Sequence, residues 1–561
     1  IHILFLIMAV SVIVNAQDKT PNVKVEFVTP KIIRVQWSAD GSLPGNNTGV
    51  CVYERQKVKS EEIVVKNEGG CISFIDRKTG KTLLRDVARE SQPVVQERIV
   101  YDDATARMEE TANGKVTVKD IIRRDTIGES TRYISHFSCP DTKALYGLGA
   151  HMEDYMNLVG KTMWLTQHNL KVMIPVLMSP QGYGLLFDAG CAMKYSSDGK
   201  GFTMQMEAAK QIDYYFIKGD RMEDIVEGYR YLTGRVQLLP LYAFGYIQSK
   251  ERYVSSDDLI NTLREYRRRH VPVDMIVQDW NYWPEGWGYI KMNRKYYPDP
   301  KALADSIHAM NAKLMVSIWP NPQYCPEEKD FRKRGFMLEH SVYDAFNADA
   351  RRHYWKYAND EFFSNGFDAW WCDSSEPLDG DWNKIPESLG DKPYGWNDHK
   401  RRWQLNKDIL SDALGAERSS LYSLYHSMGL YENQRATTDA KRVLNLTRSS
   451  YAGQQRYATV VWNGDTHASW ESYRQQIPAG LNYMATGNPY WTVDVGSFFV
   501  KNDGRRWFYT GEFQDGVKDE AYREYYTRMF QWATFLPMLR SHGSDTPREI
   551  WRFGEVGTPY Y

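Results

Sequence analysis

The sequence predicts an α/β protein in which a β-sandwich precedes a barrel of eight parallel strands and helices, a (β/α)8 TIM barrel. Two patterns of hydrophobicity indicate this order, and they change near residue 239. Before that point, short alternating runs are separated by Gly, Asp, Asn and Lys turns, which is typical of sandwich strands. After it, short apolar runs alternate with longer amphipathic ones, as repeated strand and helix units require. A length of 561 residues also exceeds what one hydrophobic core usually organises.

The start of the chain has the pattern of a secretion signal. Residues 1–14 form a nearly continuous apolar stretch, and Asn15, Ala16 and Gln17 follow it. Such a stretch before small residues is typical of a signal peptide and is too short to span a bilayer. We predict that residues 1–17 are a signal peptide, incomplete because no basic region precedes it. The protein is therefore expected to be exported, to the periplasm or the outside of the cell, without membrane insertion.

Residues 18–238 are predicted to form the sandwich, and residues 239–561 the barrel. The clearest sandwich strands are expected at 23–27, 32–37, 70–74 and 202–205. The eight barrel strands are expected at 244–249, 274–279, 313–319, 369–373, 443–448, 458–465, 490–495 and 536–542. Helical patterns lie at 256–269, 300–311, 470–477 and 521–535. Because few residues follow the eighth strand, we expect the barrel to be truncated before its last helix.

Two of the predicted strands end in carboxylates. The apolar run FDAWWC leads into Asp373 and Glu376, and the strand at 458–465 ends at Asp465. In a parallel barrel these strand ends face the mouth where substrates bind. Two carboxyl groups about 5 Å apart at such a mouth are the arrangement of retaining glycosidases. Alternatively, Asp373 and Glu376 have the spacing of a capping box at a helix start.

Four sequence motifs resemble family 31 of the glycoside hydrolases and occur in the order of that family. They are DWNYW at 279–283, WWCDSSEP at 370–377, WNGD at 462–465 and RSHG at 540–543. Upstream, YGLG at 146–149 and GYGLLFD at 182–188 resemble the N-terminal domain of the family. The resemblance implies one or two further β-domains after the barrel, so the sequence is interpreted as a fragment that lacks them.

The resemblance implies a retaining, exo-acting hydrolysis in two displacement steps. Asp373 matches the nucleophile of the family, and Asp465 matches its general acid/base. The nucleophile must be ionised when it attacks, and the acid must hold a proton, so we expect Asp465 to have the higher pKa. A transglycosylase or a lyase of the same family would share the nucleophile and differ in the loops that bind the acceptor.

Other matched positions imply contacts with the bound sugar. Asp279 resembles the carboxylate that binds the 4-hydroxyl, although an Asp there could instead cap the following loop. Arg448 and His542 match residues that contact the 2- and 3-hydroxyls, and Arg540 supports the assignment of His542. Glu376 is either an orienting residue or a helix-start residue. The apolar face of the sugar is expected to meet tryptophans near strand ends, each of which could instead be core: Trp319, Trp371 and Trp462.

Two departures from the α-glucosidase pattern favour an α-xyloside as the substrate. The residues from Asp373 to Glu376 are DSSE where those enzymes have DMNE, which resembles the α-xylosidase branch. Trp280 is bulky where glucosidases carry an aliphatic residue near C6 of the sugar. A large ring there would exclude a hydroxymethyl group and admit xylose, which has none. An α-glucosidase of the same family is the alternative.

Composition limits the other classes of function. A net charge of −1 gives no basis for nucleic-acid binding.

The first barrel strand has no His-x-His pattern, and the six cysteines form no CxxC pair, so neither a metal nor another cofactor is expected. In an exported chain some cysteines could form disulfides, for example Cys51 with Cys71, although the connectivity cannot be read from the sequence, and Cys372 is interpreted as a buried thiol. A non-catalytic carbohydrate-binding protein would not need two strand-terminal Asp residues. Oligomerisation stays open.

Overall fold

The computed structural model describes residues 23–55, 58, 61–111, 114–380, 398–502 and 511–554. Within these ranges the chain forms two antiparallel sheets followed by one parallel sheet of eight strands. In this described part no helix has the length and apolar character needed to cross a membrane. The predicted signal peptide, residues 1–17, lies outside the described residues. The predicted domain boundary at 238/239 stays a prediction.

The first part of the chain is a β-sandwich, and it contains strands at all four of the clearest predicted positions. The strands are β1 (Lys24–Thr29), β2 (Ile32–Trp37), β3 (Ile63–Glu68), β4 (Cys71–Asp76), β5 (Thr82–Thr111), β6 (Gly114–Ser138), β7 (Tyr146–His151), β8 (Thr162–Leu165), β9 (Lys171–Ser179), β10 (Tyr183–Phe187), β11 (Met193–Ser197), β12 (Gly201–Ala209) and β13 (Ile212–Lys218). One sheet has the order β1-β2-β13-β10-β9-β7 and the other β3-β4-β5-β6-β12-β11-β8. Phe74 of the second sheet stacks on Phe216 of the first at 4.2 Å between ring centroids. The apolar core therefore lies between the two sheets.

The second part forms the predicted barrel of eight parallel strands. These are β14 (Tyr246–Gln248), β15 (Met275–Gln278), β16 (Lys313–Ile318), β17 (Ala369–Cys372), β18 (Asn445–Thr447), β19 (Thr459–Trp462), β20 (Trp491–Thr492) and β21 (Leu539–Ser541). Neighbouring strands pair in chain order, and β21 returns to pair with β14. A parallel bridge between Val495 and Ser541 joins the remaining two ends. All eight predicted strands are present, and every one is shorter than predicted, because its last residues leave the ladder at the barrel mouth; six of them also begin later than predicted.

Helices surround the barrel and also link it to the sandwich. They are α1 (Met222–Thr233), α2 (Ser256–Arg268), α3 (Pro300–Ala309), α4 (Pro326–Lys333), α5 (Ala348–Glu361), α6 (His399–Leu414), α7 (Tyr422–Thr437), α8 (Trp470–Ala485) and α9 (Glu520–Ala533). The helices predicted at 256–269, 300–311 and 521–535 are confirmed as α2, α3 and α9. The prediction that the helix after β19 ends at 477 is wrong, because α8 continues through Pro478.

Tertiary contacts explain why α8 continues past its proline. The side-chain oxygen of Asn482 accepts a hydrogen bond of 2.9 Å from the backbone of Gly147 in the sandwich. Gly480 lies against the ring of Trp491, where a Cβ atom would approach Nε1 to 2.6 Å. These contacts fix the last turns of the helix against both domains. They outweigh the backbone hydrogen bond that Pro478 cannot donate.

The long hairpin of β5 and β6 has no counterpart in the sequence predictions. It extends from the sandwich to the barrel, where Arg124 donates to Asp408 of α6 at 2.8 Å. Arg98 pairs with Asp412 of the same helix at 3.3 Å. Sandwich and barrel are therefore joined by ion pairs as well as by apolar packing.

All six cysteines are free thiols, so the predicted pairing of Cys51 with Cys71 is wrong. Cys51 lies beside Tyr215 and Asp188 in the sandwich, whereas Cys71 begins β4. Cys372 is completely buried at the end of β17, as expected for a structural thiol.

Candidate active site

The C-terminal ends of the barrel strands bring the predicted site residues together. Asp279 follows β15, Asp373 follows β17, Arg448 follows β18 and His542 follows β21. Asp465 lies three residues beyond β19. Because all eight strands are parallel, these ends open on the same mouth. All five side chains are buried there.

Arg448 lies among three carboxylates. Its Nε donates to Glu376 at 2.9 Å. Its Nη1 lies 3.2 Å from an oxygen of Asp373 and 3.7 Å from an oxygen of Asp465. The two predicted catalytic carboxylates therefore face the same guanidinium nitrogen, while Glu376 holds the opposite edge of the group. The carboxylate of Glu376 contacts Arg448 and not a helix end, and its role as an orienting residue stays a prediction.

The chain turns sharply after Asp373. Ser374 has a φ of 47°, and its backbone N–H donates to the Asp373 carboxylate at 2.7 Å. Residues 374–379 are not helical. The alternative that Asp373 and Glu376 cap a helix is therefore wrong, because the turn gives its N–H to the carboxylate without continuing into a helical turn.

The surroundings of Asp373 disfavour its ionised form in the free site. Burial raises the pKa of Asp373 to about 7, Arg448 opposes this rise, and the charge of Asp465 adds to it. The negative charge of Glu376 raises the pKa of Asp373 further. Ionisation of Asp373 thus depends on the position of Arg448 relative to the other two carboxylates.

Asp465 is held from outside the barrel by a residue that the sequence analysis missed. Asn169 lies in the loop between β8 and β9 of the sandwich and is fully buried. Its side chain makes two hydrogen bonds to Asp465, of 2.7 and 2.9 Å. An isolated Asn in a polar loop carries no pattern that predicts such a contact.

Asp279 and His542 lie beside each other at the mouth. Asp279 accepts a hydrogen bond of 2.8 Å from the backbone of Trp280, which agrees with a loop-capping contact. The Nε2 atom of His542 is 3.8 Å from Asp279, and its Nδ1 contacts the hydroxyl of Ser249 at 2.7 Å. Burial lowers the pKa of His542 well below its usual value, and Arg540 adds to this effect. Burial and then the charge of Asp373 raise the pKa of Asp279 well above its usual value.

The predicted tryptophans fall into two groups. Trp371 and Trp462 meet edge to face at 5.4 Å beneath the mouth, and His542 lies 4.7 Å from Trp371. Trp280 and Trp319 belong to a separate cluster with two tryptophans that the sequence analysis did not single out, Trp283 and Trp287. Ring centroids in this cluster are 5.1 to 6.5 Å apart.

Arg540 forms a second buried ion pair, with Asp494. Both side chains are completely buried. The guanidinium lies over Trp371 at 4.7 Å and over Trp462 at 5.6 Å. Burial raises the pKa of Asp494 to about 7, and Arg540 opposes the rise. Asp494 was missed although it stands at the end of a predicted strand, the same signal that identified Asp373 and Asp465.

The family of the chain is shown by comparison with known proteins. The family model described as "Glycosyl hydrolases family 31 TIM-barrel domain" matches residues 236–560, more than half of the chain. The chain belongs to glycoside hydrolase family 31. It is a glycosidase, and the resemblance inferred from the four motifs is confirmed.

Two relatives and one solved structure of family 31 support this assignment. An α-xylosidase of Saccharolobus solfataricus is 34% identical over 556 residues, which cover 95% of this chain and 68% of that protein. An uncharacterized family 31 glucosidase of Pseudescherichia vulneris is 28% identical over 429 residues, covering 73% of this chain and 74% of that protein. The crystal structure of the family 31 α-xylosidase of Xanthomonas citri matches with a TM-score of 0.79 at 24% identity, covering 98% of this chain and 74% of that chain. The predicted fold class is thereby confirmed.

The stability of variants tests whether Arg540 and Asp494 form a buried ion pair. Replacing Arg540 by Met leaves Asp494 buried without its cation, which should cost about 3–5 kcal/mol of stability. A double variant that also carries Asp494→Leu should recover most of that loss, because neither charge is then buried. The measurement is the thermal midpoint of unfolding.

A pair on the surface is the matched control. Arg77 pairs with Glu61 at 2.8 Å, and their side chains are 51% and 46% exposed, so Arg77→Met should cost less than about 1 kcal/mol. Equal losses for Arg540→Met and Arg77→Met would contradict the arrangement.

Proposed function

We propose that this family 31 glycosidase is a retaining, exo-acting α-xylosidase that releases terminal α-xylosyl residues from oligosaccharides by double displacement. The proposal rests on one observation: at the barrel mouth, carboxylate oxygens of Asp373 and Asp465 lie 3.2 and 3.7 Å from the same nitrogen of Arg448. Two carboxylates there provide both chemical roles that retention needs. Exo action, and export to the periplasm or the outside of the cell, are parts of the proposal that rest on the sequence.

In the first step, Asp373 attacks the anomeric carbon as its bond to the leaving oxygen breaks. Asp465 donates a proton to that oxygen, and a covalent glycosyl-enzyme forms on Asp373. In the second step, Asp465 takes a proton from water, which displaces Asp373 from the anomeric carbon. Each displacement inverts the configuration, so the α configuration is retained.

Arg448 balances the charges of this sequence of steps. Its guanidinium favours the ionised form of Asp373, which burial disfavours. When Asp373 becomes an ester it loses its negative charge, and Asp465 gains one as it gives up its proton, so the charge near Arg448 moves from one carboxyl group to the other without changing in total. The assignment of Asp465 as the acid stays a prediction.

The sugar is proposed to be held by polar groups on one side and rings on the other. Asp279 binds the 4-hydroxyl, and Arg448 with His542 binds the 2- and 3-hydroxyls. His542 is neutral at neutral pH because its pKa is lowered by burial, so it can both donate and accept. Trp371 and Trp462 form the floor of the pocket under the apolar face of the ring, and Trp319 contributes to its side.

Trp280 is proposed to select xylose. Its indole is packed by three other tryptophans and lies 5.1 Å from the guanidinium of Arg252, which stacks over it. A ring fixed in this way cannot move aside easily for a hydroxymethyl group. The name of the Saccharolobus relative agrees with this substrate. The name of the Pseudescherichia relative keeps an α-glucosidase as the alternative.

Initial rates on two aryl glycosides test the substrate. We expect a higher kcat/KM for p-nitrophenyl α-xyloside than for the α-glucoside. Trp280→Leu should raise the glucoside to xyloside ratio by roughly 10-fold or more, since a removed steric conflict of this size is worth about 1–3 kcal/mol. Asp373→Ala should abolish activity on both.

The control for Trp280→Leu is the same substitution at Trp355, a buried tryptophan of α5 outside the site. Trp355→Leu should lower stability without changing the ratio. A preference for the glucoside by the unchanged protein would refute the xylosidase assignment and leave the mechanism intact.

The pH dependence tests the electrostatics of the nucleophile. Activity needs ionised Asp373, so kcat/KM should fall as pH drops through the raised pKa of about 7. Glu376→Gln removes one of the charges that raise this pKa and keeps an oxygen for Arg448. The acid limb should therefore move to lower pH.

The control is Glu361→Gln, which removes a buried carboxylate that pairs with Arg294 outside the mouth. Its acid limb should coincide with that of the unchanged protein. An acid limb that moves to higher pH in Glu376→Gln would refute the proposed role of the Glu376 charge.

A further inference from the structure

The loop that carries Asn169 is fixed to the barrel before it reaches the site. Gln167 donates to the backbone oxygen of Ser450, next to the end of β18, at 2.9 Å. The same side chain also bonds both backbone groups of Met173 on β9. Leu170 has a φ of 75°, which turns the chain back after Asn169. The loop is therefore a preformed element between sandwich and barrel, with Asn169 at its tip.

The orientation of the Asn169 amide is determined by its partners. Its Oδ1 accepts from the backbone N–H of Asp465 at 2.9 Å, so the opposite end of the group must be the NH2. That NH2 donates to Oδ2 of the Asp465 carboxylate at 2.7 Å. One side chain thus fixes both the backbone and the carboxylate of the same residue.

The turn before Asp465 is shaped to admit this contact. Gly464 has a φ of 76°, a conformation that favours glycine. A Cβ atom on Gly464 would lie 2.2 Å from Oδ1 of Asn169 and 2.7 Å from the backbone nitrogen of Leu170. Only a glycine allows the two loops to approach so closely.

The two oxygens of Asp465 have different surroundings. Oδ2 accepts from Asn169 and faces Nη1 of Arg448 at 3.7 Å. Among the residues that the structure describes, Oδ1 accepts no hydrogen bond. The hydrogen bond from Asn169 and the nearby positive charge of Arg448 at Oδ2 favour placing the proton of the neutral acid on Oδ1, the oxygen left for the leaving group.

We propose that Asn169 is a positioning residue for the acid/base step, supplied to the barrel by the sandwich. It rotates Asp465 so that Oδ1 carries the proton towards the leaving oxygen. When that proton has moved and the bond from the anomeric carbon to the leaving oxygen has broken, its NH2 stabilises the carboxylate that remains. This inference rests on the proposed acid/base role of Asp465.

The test is the dependence of kcat/KM on the leaving group. Aryl α-xylosides are compared whose phenols range from 2,4-dinitrophenol, which leaves without a proton, to unsubstituted phenol, which needs one. A misdirected acid costs rate only where the leaving group needs protonation. A purely structural defect lowers all rates by the same factor.

Two substitutions of Asn169 distinguish the loss of its hydrogen bond to the Asp465 carboxylate from a general structural defect. Asn169→Ala removes both hydrogen bonds. Asn169→Asp has almost the same shape and can still accept from the backbone of Asp465, but it offers no NH2 to Oδ2. In each variant we expect kcat/KM for the phenyl substrate to fall by roughly 10-fold or more, and kcat/KM for the dinitrophenyl substrate to fall by less than about 3-fold. The larger loss is smaller than the full contribution of general acid catalysis, because Asp465 itself is still present.

Asn482 provides the matched control. It is another buried amide that joins the two domains, from α8 to Gly147 at 2.9 Å and to the backbone of Met156 at 3.2 Å, and it does not contact Asp465. Asn482→Ala should lower the thermal midpoint and affect all aryl xylosides equally.

The outcomes distinguish the inference from the function on which it rests. Asp465→Ala should show the steepest dependence on the leaving group. If Asp465→Ala shows it and both Asn169 variants lose the same factor on every substrate, the positioning role is refuted and the proposed function stands. If Asp465→Ala shows no such dependence, the acid/base assignment itself fails.

Discussion

The site depends on one buried guanidinium. Arg448 is shared by Glu376, Asp373 and Asp465. The free-energy cost of removing these carboxylates from water is offset only while the guanidinium stays in place. Three carboxylates around one cation leave the cluster with excess negative charge. That excess, together with burial, raises the pKa of Asp373 to about 7. In the proposed reaction the net charge of the cluster stays the same, because Asp465 becomes negative in the step in which Asp373 becomes an ester, and Nη1 of Arg448 faces both carboxylates.

Two domains build this arrangement. The parallel barrel brings strand ends to a common mouth, which accounts for Asp279, Asp373, Arg448, Asp465 and His542 at one place. The sandwich contributes Asn169, whose amide bonds both the backbone and the carboxylate of Asp465. The domain interface therefore sets the geometry of a catalytic group. Packing contacts far from the substrate, such as those of Gln167, can be expected to influence the chemistry through this amide.

The barrel and most of the site were accessible from sequence because their signals are local. Apolar runs that stop at Asp373 or Asp465 mark strand ends directly, and the parallel topology then brings those ends together. Asn169 gave no such signal, since its partner is 296 positions away and only the folded domain interface joins them. The continuation of α8 past Pro478 also depended on tertiary contacts, here those of Gly480 and Asn482. The proposed disulfide between Cys51 and Cys71 failed for the same reason, because spacing along the chain does not determine distance in a sandwich.

Asp373 is proposed to form the covalent intermediate, and that intermediate can be trapped chemically. The protein is incubated with a 5-fluoro xylosyl fluoride, which forms the glycosyl-enzyme faster than water releases it, then digested and analysed by mass spectrometry. We expect one added fluoroxylosyl group, on the peptide that contains Asp373, and none in Asp373→Ala. A label on Asp465 or Asp279, or continued turnover without any labelled peptide, would contradict it.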